Sequence, residues 1–199
     1  MHIALFGGGF DPPHKSHLTI AQNILSAHLV DEIWFVPCGS HPFNKNMSGA
    51  KHRLQMTRLM LQENMRVIDY EIKKTGKSFS YKTLSYFSKK YPPDTFSWII
   101  GSDQLTSFHK WGSYKQLLED FTIYVYPRAG HQLVQRYKEM ILLYDMLEQS
   151  ISSTQIRTLL AKDLSVDGLL HPEVLCYIQK HALYNKHHDA DSQRPAKRN

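Results

Sequence analysis

Short apolar runs alternate along the chain with segments whose apolar residues recur at helical spacing. Residues 3–6 read as a strand. Leu18, Ala21 and Leu25 then share one helical face before a second strand at 33–36 meets Pro37. The rhythm continues with a helix around 53–63, a strand over 67–72, a helix carrying Leu84 and Phe87, and a strand at 96–100 that closes on Gly101. A helix through Leu117 and Leu118 and a strand at 121–126 follow. Strands separated by helices predict an α/β fold whose doubly wound parallel sheet is covered on both faces. Ligands of such sheets bind outside the carboxyl ends of the strands, where the winding reverses. The loops after the strands are therefore where chemistry is expected.

One segment fits two templates. Leu133, Tyr137, Ile141 and Tyr144 recur at helical spacing, yet residues 140–144 read equally well as a buried strand. Two terminal helices follow, one opened by Ser152, Ser153 and Thr154 and one by Pro172 in its first turn. Residues 1–184 are expected to form a single domain, and residues 185–199, rich in His, Lys, Arg and Asp, a disordered polar tail.

Composition narrows the class without naming the chemistry. The 199 residues carry 42% hydrophobic side chains, enough for one sizeable core, and a net charge of +6. That balance suits an anionic small molecule as well as nucleic acid. Cys38 and Cys176 stand far apart, which excludes a disulfide framework and a thiolate zinc knuckle and suits a reducing compartment. No apolar run approaches a membrane span, and the first strand runs straight into glycines, so a cytoplasmic protein is expected.

The first strand empties into Gly7, Gly8, Gly9, Phe10, Asp11, Pro12, Pro13, His14, Lys15, Ser16 and His17, just ahead of a helix. Glycines let the backbone approach a bulky anion, and a helix start offers unpaired N–H groups to phosphate. The spacing is neither the Rossmann GxGxxG nor the P-loop GxxxxGK[ST], so neither dinucleotide redox nor ordinary NTP hydrolysis is implied. His14 and His17, three apart at a helix entrance, can donate ring N–H bonds to one phosphate group. Taken alone, either histidine reads equally as a cap or a surface residue. Asp11 with the two histidines could ligate zinc, but no third strong ligand stands nearby, and no metal site of the protein's own is expected.

A second anion site is suggested by Ile151, Ser152, Ser153, Thr154, Gln155, Ile156 and Arg157, where hydroxyls precede a helix and a guanidinium sits in its first turn. Two such helix starts in one α/β domain are what gripping a triphosphate along its length requires, with Arg157 offering forked hydrogen bonds to a β or γ phosphate.

GGGFDPPHKSH resembles the GGxFDPxHxGH signature of the nucleotidyltransferase superfamily that contains nicotinate-nucleotide, nicotinamide-nucleotide and phosphopantetheine adenylyltransferases. The family's glycine before the last histidine is Ser16 here, a small residue able to cap the helix, and its Thr or Ser after the first two glycines is Gly9. ISSTQIR resembles the superfamily's ISSTxIR without departure, and the similarity to nicotinate-nucleotide adenylyltransferases extends to the terminal LLHPEVLCYIQKHALY. The resemblance implies a Rossmann-like fold with ATP held by Gly7 to Phe10, by Gly101 and Asp103 of a GxDxL-like segment, and by Ile151 to Thr154. Asp103 would bond the ribose or cap the next helix. Trp111 would stack on a pyridine ring or belong to the core. Ser80, in SFSYKTL, would help bind the nicotinate carboxylate. Lys45 would approach the substrate phosphate, and Arg128 the nucleotide. Arg53, on the helix after the second strand, reads as a solvated cation.

The implied reaction moves AMP from ATP to nicotinate mononucleotide with release of pyrophosphate, His14, His17 and Arg157 handling the phosphates and Mg²⁺ arriving with ATP. Transfer to nicotinamide mononucleotide or phosphopantetheine is the near alternative; Trp111 and the Ser80 stretch favour a pyridine ring, and the choice between acid and amide stays open. A noncatalytic nucleotide- or RNA-binding module is the different class, against which the presence of both histidines counts.

Overall fold

The computed structural model describes residues 1–39, 47–74 and 76–185. Six parallel strands form one sheet in the order β3-β2-β1-β4-β5-β6: β1 His2–Gly8, β2 Glu32–Pro37, β3 Met65–Val67, β4 Thr95–Gly101, β5 Thr122–Tyr126 and β6 Met140–Leu142. The helices are α1 Lys15–Ser26, α2 Ala50–Arg58, α3 Tyr70–Lys73, α4 Ser80–Lys90, α5 Tyr114–Asp120, α6 Ser153–Leu160 and α7 Pro172–Lys180.

The central strands are apolar on both faces, as a doubly covered parallel sheet requires. Alternate residues sort into two cores. Ala4, Phe6, Phe35 and Ile99 face α1, α2, α6 and α7 through Ile20, Met56, Ile156 and Val174. Ile3, Leu5, Trp34 and Trp98 face α4 and α5 through Leu84, Phe87 and Leu117. Each buried aliphatic or aromatic side chain contributes about 1.5–3 kcal/mol, so both faces are needed to hold the strands in register. The winding reverses between β1 and β4, which pair side by side with Phe6 opposite Ile99. The loops leaving these two strands diverge and open a crevice at their carboxyl ends.

Two expectations change and one open alternative is resolved. The strand foreseen at 67–72 ends at Val67, and Tyr70–Lys73 turns into α3, which buries Glu71. The helix foreseen to Glu63 ends at Arg58, with Leu59 as its C-cap. The two-template segment resolves as a short edge strand, β6, beside β5, and its helical alternative fails because Tyr144 is exposed. Among the described residues no helix is long and apolar enough to cross a membrane. Residues 186–199 lie outside the described residues.

Candidate active site

The loop leaving β1 is shaped by packing before any ligand is considered. A Cβ on Gly7 would run into the Trp98 ring of β4, so this glycine allows two neighbouring strands to carry a tryptophan between them. Gly8 and Gly9 have more room, with Phe10 and Met47 3.2 Å from where a Cβ would stand. Phe10 adopts a left-handed backbone, φ 47°, and its side chain turns into the core against Phe6 and Phe35. Any contact of Phe10 with a ligand is therefore through its backbone or ring edge.

His14 is the N-cap of α1, and its backbone N–H donates to Nδ1 of His17 at 3.1 Å. That bond leaves the His17 proton on Nε2, fixing the tautomer. The two rings lie 3.7 Å apart, centroid to centroid. Burial, aided by the Arg128 cation, holds His17 down to about 3. Burial, then His17 and Arg128, holds His14 well below the usual imidazole range. Both are neutral donors at physiological pH. Nδ1 of His14 is buried without a hydrogen-bond partner, a cost that a phosphate oxygen could remove. Ser16 is not the cap: it sits inside the first turn, buried.

At the other end of the chain, Ser152 caps α6 by accepting the Gln155 N–H at 3.2 Å. Ser153 Oγ donates to the Pro12 carbonyl at 2.9 Å, and Arg157 Nη1 donates to the Asp11 carbonyl at 2.6 Å. Arg157 Nη2 donates to Thr154 Oγ1 at 3.2 Å. The hydroxyl and guanidinium cluster is thus bolted to the loop that carries the histidines. Arg128 bridges to the third loop. Its N–H donates to Ser102 Oγ at 3.0 Å, its Nε lies 3.8 Å from Asp103 Oδ1, and its Nη2 donates to the Ile151 carbonyl at 3.4 Å. Asp103 lies within a single 3-10 turn, Ser102–Gln104, and makes no side-chain cap; it accepts from Gln104 Nε2 at 2.6 Å instead.

These groups line one cleft. A cavity of about 390 Å³ runs from Gly8, His14 and His17 past Gly101, Asp103 and Arg128 to Ser80 and Trp111. An adjoining hollow of about 350 Å³ is lined by Ser152, Ser153, Thr154 and Arg157. Gly9, His17, Arg128 and Ser153 belong to both, so the hollows are continuous. At the far end Trp111 is half-buried against Phe108, and its indole N–H, though buried, has no partner. Ser80 opens α4 on the same wall. Lys45 lies outside the described residues.

Several organising residues are not evident as such from the sequence. Arg53, read as solvated, is 1% exposed. Its guanidinium donates to the carbonyls of Ser48 (2.9 Å), Gly9 (2.8 Å), Cys38 (2.8 Å) and Gly39 (3.3 Å), clamping the loops after β1 and β2. The signal was in the spacing, because Arg53, Met56, Thr57 and Met60 fall on one helical face and all are buried. Glu71, also buried on the cavity wall, accepts from Thr83 Oγ1 at 2.6 Å. Burial pushes its carboxyl up, against the opposing hydrogen bonds of Thr83 and Ser78. Among the described residues no group of three or more His, Cys, Asp or Glu is arranged to hold a metal ion.

A family model described as cytidylyltransferase-like matches residues 5–159. A curated relative from Caldicellulosiruptor bescii, named "Probable nicotinate-nucleotide adenylyltransferase", is 36% identical and spans 94% of this chain and 100% of its own. The nicotinate-nucleotide adenylyltransferase of Bacillus subtilis is 32% identical over 92% of this chain and 97% of its own. The fold is shared with the solved Plasmodium falciparum nicotinic acid mononucleotide adenylyltransferase complexed with NaAD, with a TM-score of 0.81 at 22% identity over 92% of this chain and 97% of that one. With the GGGFDPPHKSH loop and the ISSTQIR helix start meeting in one cleft, the chain belongs to the cytidylyltransferase-like family and, within it, to the nicotinate-nucleotide adenylyltransferases.

Proposed function

We propose that the chain transfers the adenylyl group of ATP to nicotinate mononucleotide, forming deamido-NAD and releasing pyrophosphate, a step of NAD biosynthesis. The relatives named for this activity match nearly end to end. The observation that carries the reading is the continuity of the cleft from the Arg157 cluster, past the histidine pair, to Trp111 and Ser80.

An oxygen of the mononucleotide phosphate attacks the α-phosphorus of ATP in line. The bond from that phosphorus to the α–β bridging oxygen breaks, and pyrophosphate leaves with the electron pair. A phosphate is already a competent nucleophile at neutral pH. The protein's task is to align two polyanions that repel one another and to stabilise charge as it shifts toward pyrophosphate. His17, through Nε2–H, and His14 hold the α-phosphate and the bridging oxygen. Arg157, Ser152, Ser153 and Thr154 hold the departing pyrophosphate, with Arg128 between the two clusters. Gly7, Gly8, Gly9 and Phe10 supply backbone along the phosphates. Gly101 and Asp103 meet the ribose, Ile151 serves through its carbonyl bond to Arg128, and Trp111 and Ser80 take the nicotinate ring and its carboxylate. Lys45 is assigned to the mononucleotide phosphate by resemblance alone.

The groups lining the triphosphate hollow are mainly hydroxyls, backbone and cations, and the Asp11 carboxylate there already accepts from Tyr184 and Ser48, so Mg²⁺ would fit as an ion carried chiefly by ATP oxygens and water. It would neutralise phosphate charge there.

The test is pyrophosphate release from ATP and Mg²⁺ with nicotinate mononucleotide, nicotinamide mononucleotide or phosphopantetheine in turn. Fastest release with nicotinate mononucleotide is expected. Release with phosphopantetheine alone would overturn the acceptor, release with none would overturn the transfer, and equal rates in chelator would remove Mg²⁺.

A further inference from the structure

We propose that Tyr184, near the carboxyl end of the described chain, is a positioning residue for adenylyl transfer, acting through the carboxylate of Asp11 on the loop that presents His14 and His17. Its hydroxyl donates to Asp11 Oδ1 at 2.7 Å across 173 residues of sequence. The other carboxylate oxygen accepts the Ser48 N–H at 3.1 Å. Asp11 is 4% exposed, and a buried carboxylate is unfavourable unless its oxygens are hydrogen-bonded, so both donors matter.

The chain reaches this contact by a strained path. Beyond the end of α7, Ala182 (φ 48°) and Tyr184 (φ 68°) both adopt the left-handed conformation that side-chain-bearing residues avoid. Between them the Leu183 N–H closes back on the Ile178 carbonyl at 3.0 Å. Such a path persists where specific contacts over-determine it. Burial, then Asp11, pushes the phenol far above its ordinary range, so the hydroxyl remains a donor at every physiological pH.

Asp11 is where the two phosphate clusters are tied together. Its carbonyl takes Arg157 Nη1, the next carbonyl, of Pro12, takes Ser153 Oγ, and two residues beyond Pro12 stands His14. Holding the Asp11 side chain therefore sets the loop against which Arg157 and the histidines are aimed. Asp11 lines the hollow it shares with Arg157, whereas Tyr184 lines neither hollow and reaches the site only through Asp11.

The proposal rests on the adenylyl-transfer reading, and Tyr184→Phe tests it by removing one hydroxyl and keeping the buried ring. Its kcat should fall about tenfold, the scale for losing a hydrogen bond to a charged group, while KM for nicotinate mononucleotide stays within about twofold. The control is Tyr177→Phe, which removes a hydroxyl from the preceding helix, where it bonds Nδ1 of His52 at 3.0 Å and not the loop; its turnover should match the parent's. Parental kcat in Tyr184→Phe overturns the proposal. So does an equal loss in Tyr177→Phe, which would assign the effect to a loosened helix, or a change confined to the mononucleotide KM. A parent that turns over no phosphate acceptor overturns the transfer reading, and the proposal with it.

Discussion

At the phosphate end of the cleft, the loop from Gly9 to His14 is held from far along the chain: Ser153, Arg157 and Tyr184 reach it across 141, 146 and 173 residues. At the ring end the ties are shorter in sequence, with Thr83 bonded to Glu71 across 12 residues and the Gly39 N–H donating to Ser78 Oγ across 39. The phosphate end is therefore complete only when the carboxyl-terminal helices have docked on the sheet, so its geometry is coupled to global folding. At the ring end Glu71, Ser78 and Thr83 are tied within one β2-to-α4 stretch, and the segment after β4 adds Trp111, packed on Phe108. On the proposed assignment, transition-state stabilisation falls at the end tied across the longest sequence separations and acceptor choice at the end tied across shorter ones.

The largest expected effect belongs to the constrained end. His17→Ala removes the Nε2–H donor and also the acceptor for the His14 backbone N–H. It should lower kcat on the order of a hundredfold or more, the scale for losing a positioned donor at developing charge. Steady-state pyrophosphate release measures it, and parental turnover in folded His17→Ala would remove the distinction between the two ends.

The same contrast explains what the residues disclosed beforehand. Phosphate chemistry demands particular types at short spacing, so Gly8, Gly9, His14, His17, Ser153 and Arg157 stand out as candidates along the chain and the fold brings them to one cleft, while the parallel sheet follows from its apolar rhythm. The supports were hidden because their partners are remote. Nothing near Asp11 announces Tyr184, and Arg53 looks like a surface cation unless the buried face of its helix is drawn. Glu71 was hidden by a wrong element: within a foreseen strand it alternated with Asp69 as on a solvent-facing edge, whereas α3 turns it onto the cavity wall. At the ring end Trp111 and Ser80 are residue types common in any core or loop, and only resemblance to a family singled them out.

A crossed pair of substitutions sharpens the comparison at smaller amplitude. Arg157→Ala deprives the triphosphate of a forked donor and should raise KM for ATP about tenfold, with KM for the mononucleotide within about twofold. Trp111→Ala should do the reverse, since an aromatic platform contributes about 1 kcal/mol or more to a ring stacked on it. Initial-rate measurements with each substrate varied in turn decide the matter. Two variants that raise both constants equally would mean that the ends of the cleft do not act separately.

The smallest effect is thermodynamic and needs no substrate. His17 is held at about 3 in the fold against 6.5 for a free imidazole, so between these values the unfolded chain binds a proton that the folded chain refuses. Stability contributed by neutral burial is present above pH 6.5 and is lost as pH falls toward 3. At pH 5.5 the loss from this one group is about 1.4 kcal/mol, or roughly 3–5 °C in Tm for a domain of this size. His14, depressed in the same direction, adds to it. Glu71, whose carboxyl is raised, has the opposite sign: its contribution is present at low pH and fades as pH rises through its folded value. Thermal melts of the ligand-free protein at pH 7.0 and 5.5 should therefore show a steeper loss for the parent than for His17→Asn, which cannot take up the proton. Parallel losses would mean that the histidine pair is wet in the fold, and the phosphate end would then lack the dry, pre-set donors that distinguish it from the ring end.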